Sequence, residues 1–500
     1  MDIQGTSSTQ YIKVKLLPGE SETLLINAKK IKDEPGSYIV ENCLINQIIL
    51  GISPKYKVAD ELVFYDNLEV YQIKDVLKMC SRNNICNFNR MGYGKTVEAA
   101  RAMRELHIQN AVIVAPKSTL LQWVRQIETW YPEMRGRVGI YGEKFVPRPD
   151  RIVVVNYERL ISEVALQRFK RFRWDLIVAD EAHRIKNRKS KRTIAVKGIP
   201  AQRKWALTGT PITRKADDLW SILNFLGEYY SSKSYWNFVN YFCNIKQGFF
   251  GLEIAGLTDD IERIEVLHQL LNIVAVTNPD LHLTPGKHAE KINLQMSPAQ
   301  LKLYRDAKNL VLEELPDSMT IPNGAVLVTR LMQITSNPQQ FGCKDAGIKF
   351  EYVRDVMDDN PDTKFVVFSK FATTCLDLQS YLFRYGIKSV LYVGSMDATD
   401  RFTNIQQFLN DPRTQAIIGT IGAMGEGVDG LQTVSNNVIF IDRDFSPEMV
   451  AQAEDRVNRM GQLQPVFVKY LQCAKTYDMH VDKVNLSKTE DIRRALQDES

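Results

Sequence analysis

Short apolar runs alternate with amphipathic stretches in two parts of the chain. In the first part, strand-like runs such as residues 111–116 (AVIVAP) and 176–179 (LIVA) are each followed by a helix-like or polar segment. In the second part the same alternation runs through residues 364–369, 389–394, 415–420 and 437–442. Continuous apolar strands separated by helices are typical of a parallel sheet covered on both faces. The pattern predicts an α/β protein with two parallel-sheet domains.

The other segments have different patterns, which set the expected domain boundaries. Residues 1–60 place short apolar runs between Pro-Gly turn signals, which predicts a small strand-rich N-terminal module. We assign residues 61–227 to the first α/β domain and residues 346–476 to the second. Residues 228–345 lose the strand pattern, so we predict a helical insertion or connector there. Residues 477–500 are polar and helix-prone, and we predict a C-terminal helical tail.

Composition and charge narrow the class of protein. The 500 residues carry a net charge of +5, and no apolar run approaches the roughly 18–20 residues that cross a bilayer. The amino terminus lacks a basic and apolar leader, and the seven cysteines include no CxxC pair. The six histidines are dispersed as well. We therefore expect an intracellular, reduced protein without a membrane span, a secretory signal, a disulfide framework or a histidine-cysteine metal site.

A glycine-rich turn in the first α/β domain carries the first candidate chemistry. It comprises Met91, Gly92, Tyr93, Gly94, Lys95 and Thr96, and a helix-prone segment follows it. Backbone amides and a helix N-terminus are thus available to hold phosphates. Lys95 is a candidate contact to the β and γ phosphates, and Thr96 is a candidate Mg²⁺ ligand. The full phosphate-binding pattern has glycine where this chain has Asn89, so an accidental turn stays the alternative.

Two consecutive carboxylates follow an apolar strand further along the same domain. Asp180 and Glu181 open the string Asp-Glu-Ala-His at the carboxyl end of that strand, where open α/β sheets bind ligands. Asp180 is a candidate Mg²⁺ ligand, and Glu181 is a candidate for orienting or deprotonating an attacking water. The string alone is a weak signal. Together with the Gly-Lys-Thr turn it predicts a site that hydrolyses a nucleoside triphosphate.

Cations at two places complete the candidate chemistry. Arg456 and Arg459 are three residues apart, which predicts one helical face, and a guanidinium supplied by a second domain can stabilise the charge of a transferring phosphoryl group. The alternative for this pair is an exposed helix with ion pairs. Residues 184–192 (RIKNRKSKR) hold six cations in nine positions. That run fits either a surface facing a phosphate backbone or a solvated loop.

The ordered motif series resembles that of the Swi/Snf-type DNA-dependent ATPases of helicase superfamily 2. It consists of MGYGKT, VIVAPKSTLLQW, VVVNYE, DEAHRIKN, ALTGTPI, FVVFSKF, a turn at residues 425–427 (GEG) and QAEDRVNRMGQ. LTGTP and RMGQ are the most specific parts, because many other superfamily 2 enzymes differ there. The resemblance covers roughly residues 61–475 and implies two RecA-like lobes. The chain resembles a minimal motor of the sort found among bacterial, phage or other viral members of that family.

The resemblance also implies roles for individual residues. Gln72 matches a glutamine that reads adenine, and Gly427 matches a nucleotide-binding position. The positions that match DNA-backbone contacts are Lys117, Ser118, Asn156, Tyr157, Lys186, Ser369, Lys370 and Thr420. Such contacts position an enzyme without reading sequence. The implied cofactors are ATP and Mg²⁺.

Three segments of the chain depart from the family pattern. Asn89 and Arg90 stand where the family usually has Asp-Glu, and residues 213–215 (TRK) replace its usual Gln-Asn-Asn. Neither departure removes a catalytic side chain. The arginine pair often found between the lobes is absent around residues 276–279, which puts coupling in that region in question.

The implied function is an ATP-dependent translocase on double-stranded DNA that remodels protein–DNA complexes or DNA junctions as a monomeric motor. DNA-bound proteins or a polymerase are further expected partners, and a membrane is not. The expected location is the cytoplasm of a bacterial or phage-infected cell, or the nucleus in a eukaryote. One alternative is a strand-separating DNA or RNA helicase. The other is a non-hydrolysing DNA-binding scaffold, against which the intact Lys95, Asp180 and Glu181 argue.

Overall fold

The computed structural model describes residues 2–4, 11–15, 25, 28–31, 34, 37–52, 68–142, 144–209, 211, 217–248, 251–278, 284–313, 321–459 and 461–481. These residues divide into two compact units, and the boundary falls between residues 281 and 282. Each unit is built around its own parallel sheet.

The first unit begins with a small antiparallel sheet. Its elements are β1 (Asp2–Gln4), β2 (Tyr11–Lys15), β3 (Lys29–Lys30), β4 (Ser37–Glu41) and the helix α1 (Leu44–Ile49). The strand order is β1-β2-β4-β3, and each neighbouring pair is antiparallel. Ile12 and Val14 alternate with more exposed residues and are buried, as expected for a half-buried strand. The strand-rich module predicted at this end of the chain is confirmed.

The main body of the first unit alternates strands and helices. Its elements are α2 (Val70–Cys80), β5 (Asn84–Asn87), α3 (Lys95–Glu105), β6 (Ala111–Ala115), α4 (Leu120–Trp130), β7 (Val138–Ile140), β8 (Ile152–Asn156), α5 (Glu163–Lys170), β9 (Trp174–Asp180), α6 (Lys191–Lys197), β10 (Ala201–Leu207) and α7 (Asp218–Leu226). It continues through α8 (Glu228–Ser231), α9 (Tyr235–Phe242), β11 (Cys243–Gly248), β12 (Gly251–Leu257), α10 (Ile261–Val274) and β13 (Ala275–Val276).

Seven of these strands form one sheet in the order β13-β5-β10-β9-β6-β8-β7, and every neighbouring pair is parallel. Both faces are covered: in β9, Ile177 and Ala179 pack into one buried cluster, whereas Leu176 and Val178 pack into the other. Because all strands run the same way, the loops that follow β5, β6, β8, β9 and β10 emerge at one edge. That edge carries the predicted motifs.

The second unit repeats this architecture. Its elements are β14 (Lys287–Leu294), α11 (Pro298–Glu313), α12 (Ile321–Ser336), α13 (Ile348–Asp358), β15 (Phe365–Ser369), α14 (Ala372–Arg384), β16 (Ser389–Tyr392), α15 (Ala398–Asn410), β17 (Ala416–Thr420), α16 (Ile421–Gly427), β18 (Asn437–Phe440), α17 (Pro447–Glu454) and β19 (Val466–Cys473). The order is β14-β19-β18-β15-β17-β16, all parallel. Two α/β lobes with parallel sheets, as predicted, are confirmed.

The helical connector predicted for residues 228–345 is wrong in part, because four strands lie within it. β11 and β12 form an antiparallel hairpin in which Ile245 and Ile254 face each other and pack on the core. β13 and β14 are the edge strands of the two large sheets. β14 escaped prediction because its residues are mostly exposed and polar, so it lacks an apolar run. Its register with β19 comes from backbone hydrogen bonds.

Two further outcomes concern the ends and surfaces of the chain. Most of the predicted C-terminal tail, residues 482–500, lies outside the described residues. Within the described ranges, none of the helices has both the length and the apolar character that crossing a membrane requires.

Candidate functional site

The glycine-rich turn forms the loop between β5 and α3. Gly92 and Gly94 both adopt positive φ values, 80° and 86°, which side-chain-bearing residues rarely reach. Lys95 and Thr96 then open α3. The turn therefore needs glycine at these two positions and leads directly into a helix N-terminus, which is compatible with the predicted phosphate loop.

Lys95 is held inside this loop. Its Nζ donates to the carbonyl oxygens of Asn89 (2.7 Å) and Arg90 (3.1 Å), and the side chain is buried. Thr96 follows it in the first turn of α3 and is half-buried. A lysine at a helix N-terminus beside a glycine-rich backbone is the arrangement that binds nucleotide phosphates.

Gln72, predicted to read adenine, lies on α2 directly against the phosphate loop. Its Nε2 donates to the carbonyl of Tyr93 at 3.4 Å, and the Tyr71 hydroxyl donates to the same carbonyl at 2.8 Å. Gln72 also accepts the backbone N–H of Glu69, which fixes the first turn of α2. The structure therefore brings Gln72 together with the loop residues Tyr93 and Gly94.

A buried polar network lies behind the loop, and sequence reasoning missed it. Asn89 Nδ2 donates to Asp75 (2.7 Å), and Asn278 Nδ2 donates to the same Asp75 oxygen (2.7 Å). Asn278 also donates to Asn89 Oδ1 (2.8 Å), while Asn87 donates to Glu98 (2.6 Å). The one signal in the sequence was Asn89 at the position where the phosphate-binding pattern has glycine.

The two carboxyl groups of this network have raised pKa values. The pKa of Glu98 is raised to about 8, mainly by burial and secondly by the nearby Asp75 charge, while the hydrogen bond from Asn87 opposes the shift. Burial also raises the pKa of Asp75 to about 6, against the hydrogen bonds from Asn89 and Asn278. At neutral pH the interior behind the loop thus favours a neutral Glu98.

Asp180 ends β9 and is held by three donors. Trp123 Nε1 donates to its Oδ2 at 2.7 Å, and the backbone N–H of Glu181 donates to its Oδ1 at 3.1 Å. The Tyr157 hydroxyl donates to its carbonyl oxygen at 2.5 Å. Burial raises the pKa of Asp180, the neighbouring Glu181 adds to this, and Lys95 acts in the opposite direction. Asp180 and Lys95 are therefore near enough for the charge of one to influence the other.

Glu181 and the Thr-Gly-Thr-Pro motif complete this edge of the sheet. Glu181 has φ 51°, a left-handed conformation that costs a non-glycine residue about 1–3 kcal/mol and is frequent at functional sites. His183 Nδ1 lies 3.3 Å from both Glu181 Oε2 and Thr208 Oγ1. A Cβ at Gly209 would lie 3.2 Å from the backbone nitrogen of Met91. The motifs that follow β5, β9 and β10 thus meet at one edge.

The oxygen donors at this edge fit a bound Mg²⁺. Thr96 offers a hydroxyl and Asp180 a carboxylate, both of which are hard oxygen ligands of the kind that Mg²⁺ prefers beside phosphates. Over the ranges that the structure describes, no group of three or more His, Cys, Asp or Glu residues is arranged to hold a metal ion.

The DNA-contact predictions in the first unit divide into surface and interior residues. Lys117 and Ser118 are exposed in a 3₁₀ turn at Lys117–Thr119, and Asn156 is half-buried at the end of β8. Lys186 lies 3.8 Å from Asp218. Tyr157 is a correction: its side chain is fully buried and its hydroxyl is bonded inside the protein, so it does not present a surface to DNA.

The basic run is neither a uniform cationic surface nor a wholly solvated loop. Arg188 stacks over the ring of Tyr235 at 4.2 Å, and Arg192 pairs with Glu158 at 3.1 Å. Lys189 and Lys191 are exposed. Internal partners therefore engage part of the run, whereas these two lysines are at the surface.

In the second unit, Ser369 is also a correction. It is fully buried, and its hydroxyl donates to Asp442 at 2.7 Å. The neighbouring Lys370 is half-buried, with its ammonium 3.1 Å from Asp444. Thr420 ends β17 and is also half-buried, and Gly427 is the last residue of α16.

The two arginines do not lie on a helix, which contradicts their predicted helical face. α17 ends at Glu454, and both arginines follow in the turn beyond it. Arg456 donates to the carbonyl oxygens of Gly425 (2.7 Å) and Val428 (3.2 Å), which ties this turn to the end of α16. Arg459 pairs with Asp429 at 3.1 Å.

The family comparison matches both units. The model of the SNF2-related domain matches residues 71–346, and the model of the helicase conserved C-terminal domain matches residues 348–461. The first match contains the phosphate loop, Asp180 and Glu181. The second contains the two arginines and residues 425–427, which the sequence predicts as a turn and which the structure places at the end of α16.

Several curated proteins are similar to this chain. One is the SWI/SNF-related matrix-associated actin-dependent regulator of chromatin subfamily A member 1 of Homo sapiens, 25% identical over 83% of this chain and 42% of its own length. Another is the DNA annealing helicase and endonuclease ZRANB3 of Mus musculus, 26% identical over 78% and 37%. A third is an uncharacterized ATP-dependent helicase of Mycoplasma pneumoniae, 26% identical over 82% and 40%. The chain therefore spans about two fifths of the length of these relatives.

Among solved structures, the chain is similar to the Sulfolobus solfataricus SWI2/SNF2 ATPase core in complex with dsDNA. The identity is 23%, the TM-score is 0.41, and the similarity covers 88% of this chain and 99% of that one.

Proposed function

The chain belongs to the SNF2-related helicase-like ATPases, and from that premise we propose that it is a DNA-stimulated ATPase that moves along double-stranded DNA. The observation that carries the proposal is the meeting of the phosphate loop, the Asp180–Glu181 pair and the Thr208–Gly209 motif at one sheet edge. These groups are those that ATP hydrolysis requires from one lobe.

The residues of the first unit divide the work on ATP between them. We assign phosphate binding to Lys95 and the loop amides, adenine selection to Gln72, and orientation of the attacking water to Glu181. Mg²⁺ held by Thr96 and Asp180 would neutralise phosphate charge during transfer. From the second unit, Arg459 would stabilise the charge that develops on the γ-phosphate.

We assign the DNA contacts to polar residues that follow the strands of both sheets. Lys117 and Ser118 follow β6 and are exposed, while Lys370 and Thr420 follow or end β15 and β17. Contacts of this type bind the phosphate backbone and carry no sequence information. Two relatives are named for chromatin regulation and DNA annealing, which supports DNA as the substrate of this chain.

Alternate closure and opening of the two lobes during hydrolysis would then move one DNA grip past the other. By this movement, the protein would act as a monomeric motor that remodels protein–DNA complexes or DNA junctions. Such a motor would act in the cytoplasm of a bacterial or phage-infected cell, or in the nucleus of a eukaryote.

Steady-state ATP hydrolysis tests this proposal. The purified chain is assayed without nucleic acid and with single-stranded DNA, duplex DNA or duplex RNA. Glu181→Gln serves as the blank, and Glu128→Gln, a change at a half-buried position of α4, serves as the matched control. Strong stimulation by duplex DNA, followed by displacement of a triplex strand, supports translocation.

Other results would overturn the proposal in defined ways. Stimulation mainly by single strands or by RNA would favour a strand-separating helicase. Hydrolysis no faster than that of Glu181→Gln, together with intact DNA binding, would favour a non-hydrolysing scaffold.

A further inference from the structure

Two buried aromatic donors meet at Asp180. Trp123 and Tyr157 are 1% and 0% exposed, and they bond different parts of the same residue. The indole N–H of Trp123 reaches the carboxylate at 2.7 Å, while the phenol O–H of Tyr157 reaches the backbone carbonyl at 2.5 Å. Between them they fix both the carboxylate and the end of β9.

Trp123 follows a segment to which the proposed function assigns DNA contacts, and Tyr157 follows Asn156, which the family resemblance implies as a DNA contact. Trp123 lies in the first turn of α4, immediately after the exposed turn that contains Lys117 and Ser118. Tyr157 follows Asn156 at the end of β8. Only a few residues of rigid backbone therefore separate a surface turn from a hydrogen bond to Asp180.

Burial of a tryptophan does not by itself explain the bond from Trp123. Trp174 is equally buried in this unit, but its Nε1 donates to the backbone carbonyl of Phe169 at 2.8 Å, away from the nucleotide edge. Trp205 is also fully buried, and its Nε1 finds no hydrogen-bond partner. The fold thus accommodates buried indoles in other ways, which makes the bond between Trp123 and Asp180 a specific feature.

We propose that Trp123 and Tyr157 are positioning residues that couple DNA binding at the turns after β6 and β8 to the carboxylate of Asp180. The Trp123 bond holds Oδ2 and the Glu181 N–H holds Oδ1, so the carboxylate has one orientation. A shift of the turn at residues 117–119 moves the start of α4, and the indole carries that shift to Asp180. This coupling rests on the proposed DNA-stimulated activity.

The test compares two tryptophan variants and one tyrosine variant. Trp123→Phe and Tyr157→Phe each remove one donor and keep an aromatic ring, whereas Trp174→Phe makes the same chemical change away from the site. For each protein, kcat and KM for ATP are measured with and without saturating duplex DNA. Mn²⁺ affinity is measured separately by electron paramagnetic resonance with ADP present and DNA absent.

We expect Trp123→Phe to weaken Mn²⁺ binding and to lower DNA-stimulated kcat by about 10-fold or more, the usual effect of losing a group that orients a metal ligand. The ratio of stimulated to basal kcat should fall, while DNA affinity and the KM for ATP stay within about 2-fold. Tyr157→Phe should lower the same ratio less, because its acceptor is a backbone carbonyl. Trp174→Phe should keep the wild-type ratio and Mn²⁺ affinity.

Two outcomes overturn the inference. Equal losses in Trp123→Phe and Trp174→Phe would show that Trp123 acts only through packing, and a wild-type stimulation ratio in both donor variants would show that no coupling passes through Asp180. Failure of the proposed function gives a different result, because the wild-type chain itself would then show no DNA stimulation. The Mn²⁺ measurement still reports on the contact with Asp180 in that case.

Discussion

In the first unit, the carboxylate of Asp180 is buried and receives two N–H donors, whereas in the second unit Arg459 pairs with Asp429, whose side chain is 71% exposed. Because Asp429 lies largely in solvent, its attraction to Arg459, whose side chain is 19% exposed, is partly screened, so Arg459 can exchange this partner for another anion. The orientation of the Asp180 carboxylate is instead fixed by hydrogen bonds in the interior of the first unit. The comparison teaches that the first unit presents a prearranged site, whereas the second holds its charged group in a replaceable contact.

The largest expected effect comes from removing the ammonium of Lys95. Lys95→Ala should reduce ATP hydrolysis to the level of Glu181→Gln, because the Lys95 ammonium is the charge that the loop carbonyls of Asn89 and Arg90 hold in place. Steady-state hydrolysis with duplex DNA measures the loss, and a gel-shift assay should show that DNA binding persists. Residual hydrolysis well above the Glu181→Gln level would contradict the assignment.

The next largest effects should distinguish the roles of the two arginines, Arg456 and Arg459. Arg459→Ala should lower kcat by about 10³-fold, the lower end of the effect of an arginine that stabilises a transferring phosphoryl group, and leave the melting temperature unchanged. Arg456→Ala should also lower the melting temperature, because Arg456 bonds two backbone carbonyls. Asp429→Ala is the matched control, since it frees Arg459 and should keep kcat. A melting temperature lowered equally in both arginine variants would erase the contrast between these residues.

The prearranged site was also the more predictable of the two regions. The Gly-Lys-Thr turn and the Asp-Glu-Ala-His string are local, and their placement follows from parallel strands that end at one edge. The sequence could not show that α17 ends at Glu454. The residues beyond that point are held by a hydrogen bond from Arg456 to the end of α16, and a contact between segments so far apart in the sequence has no local signal. The DNA contacts predicted at Tyr157 and Ser369 are wrong for a similar reason: their motifs are recognisable in the sequence, but burial depends on the rest of the fold.

A smaller effect is expected from the buried Glu98, measured without nucleotide or Mg²⁺. Its folded-state pKa of about 8 exceeds the ordinary value of 4.5, so the folded protein binds the proton more tightly than the unfolded chain. The stability that this provides is fully present below about pH 4.5 and is lost as the pH rises through 8. Between pH 5.5 and 8, the melting temperature of the wild type should therefore fall by about 4 °C more than that of Glu98→Gln.

Two features of the site sharpen that pH experiment. Asp75, whose pKa is about 6, should contribute a weaker slope below neutrality in both proteins. Glu128→Gln, at a half-buried position of α4, should keep the full wild-type slope. Parallel melting curves for the wild type and Glu98→Gln would mean that Glu98 is charged in the folded protein, and the first unit would then be less strictly prearranged than its hydrogen bonds indicate.

The smallest effect should come from the exposed lysines of the basic run, where even the first unit has replaceable contacts. Lys189→Ala should weaken duplex DNA binding about 2-fold and reduce the salt dependence of binding by about one ion, because a phosphate contact of this kind releases one counterion. Arg192→Ala is the variant to compare with it. Arg192 already pairs with Glu158 at 3.1 Å, so its removal should change the salt dependence of DNA binding less. Fluorescence anisotropy across a salt series measures both. A larger change in Arg192→Ala would show that internal pairing does not decide which cations face DNA, and the distinction between held and replaceable charges would then fail within the first unit itself.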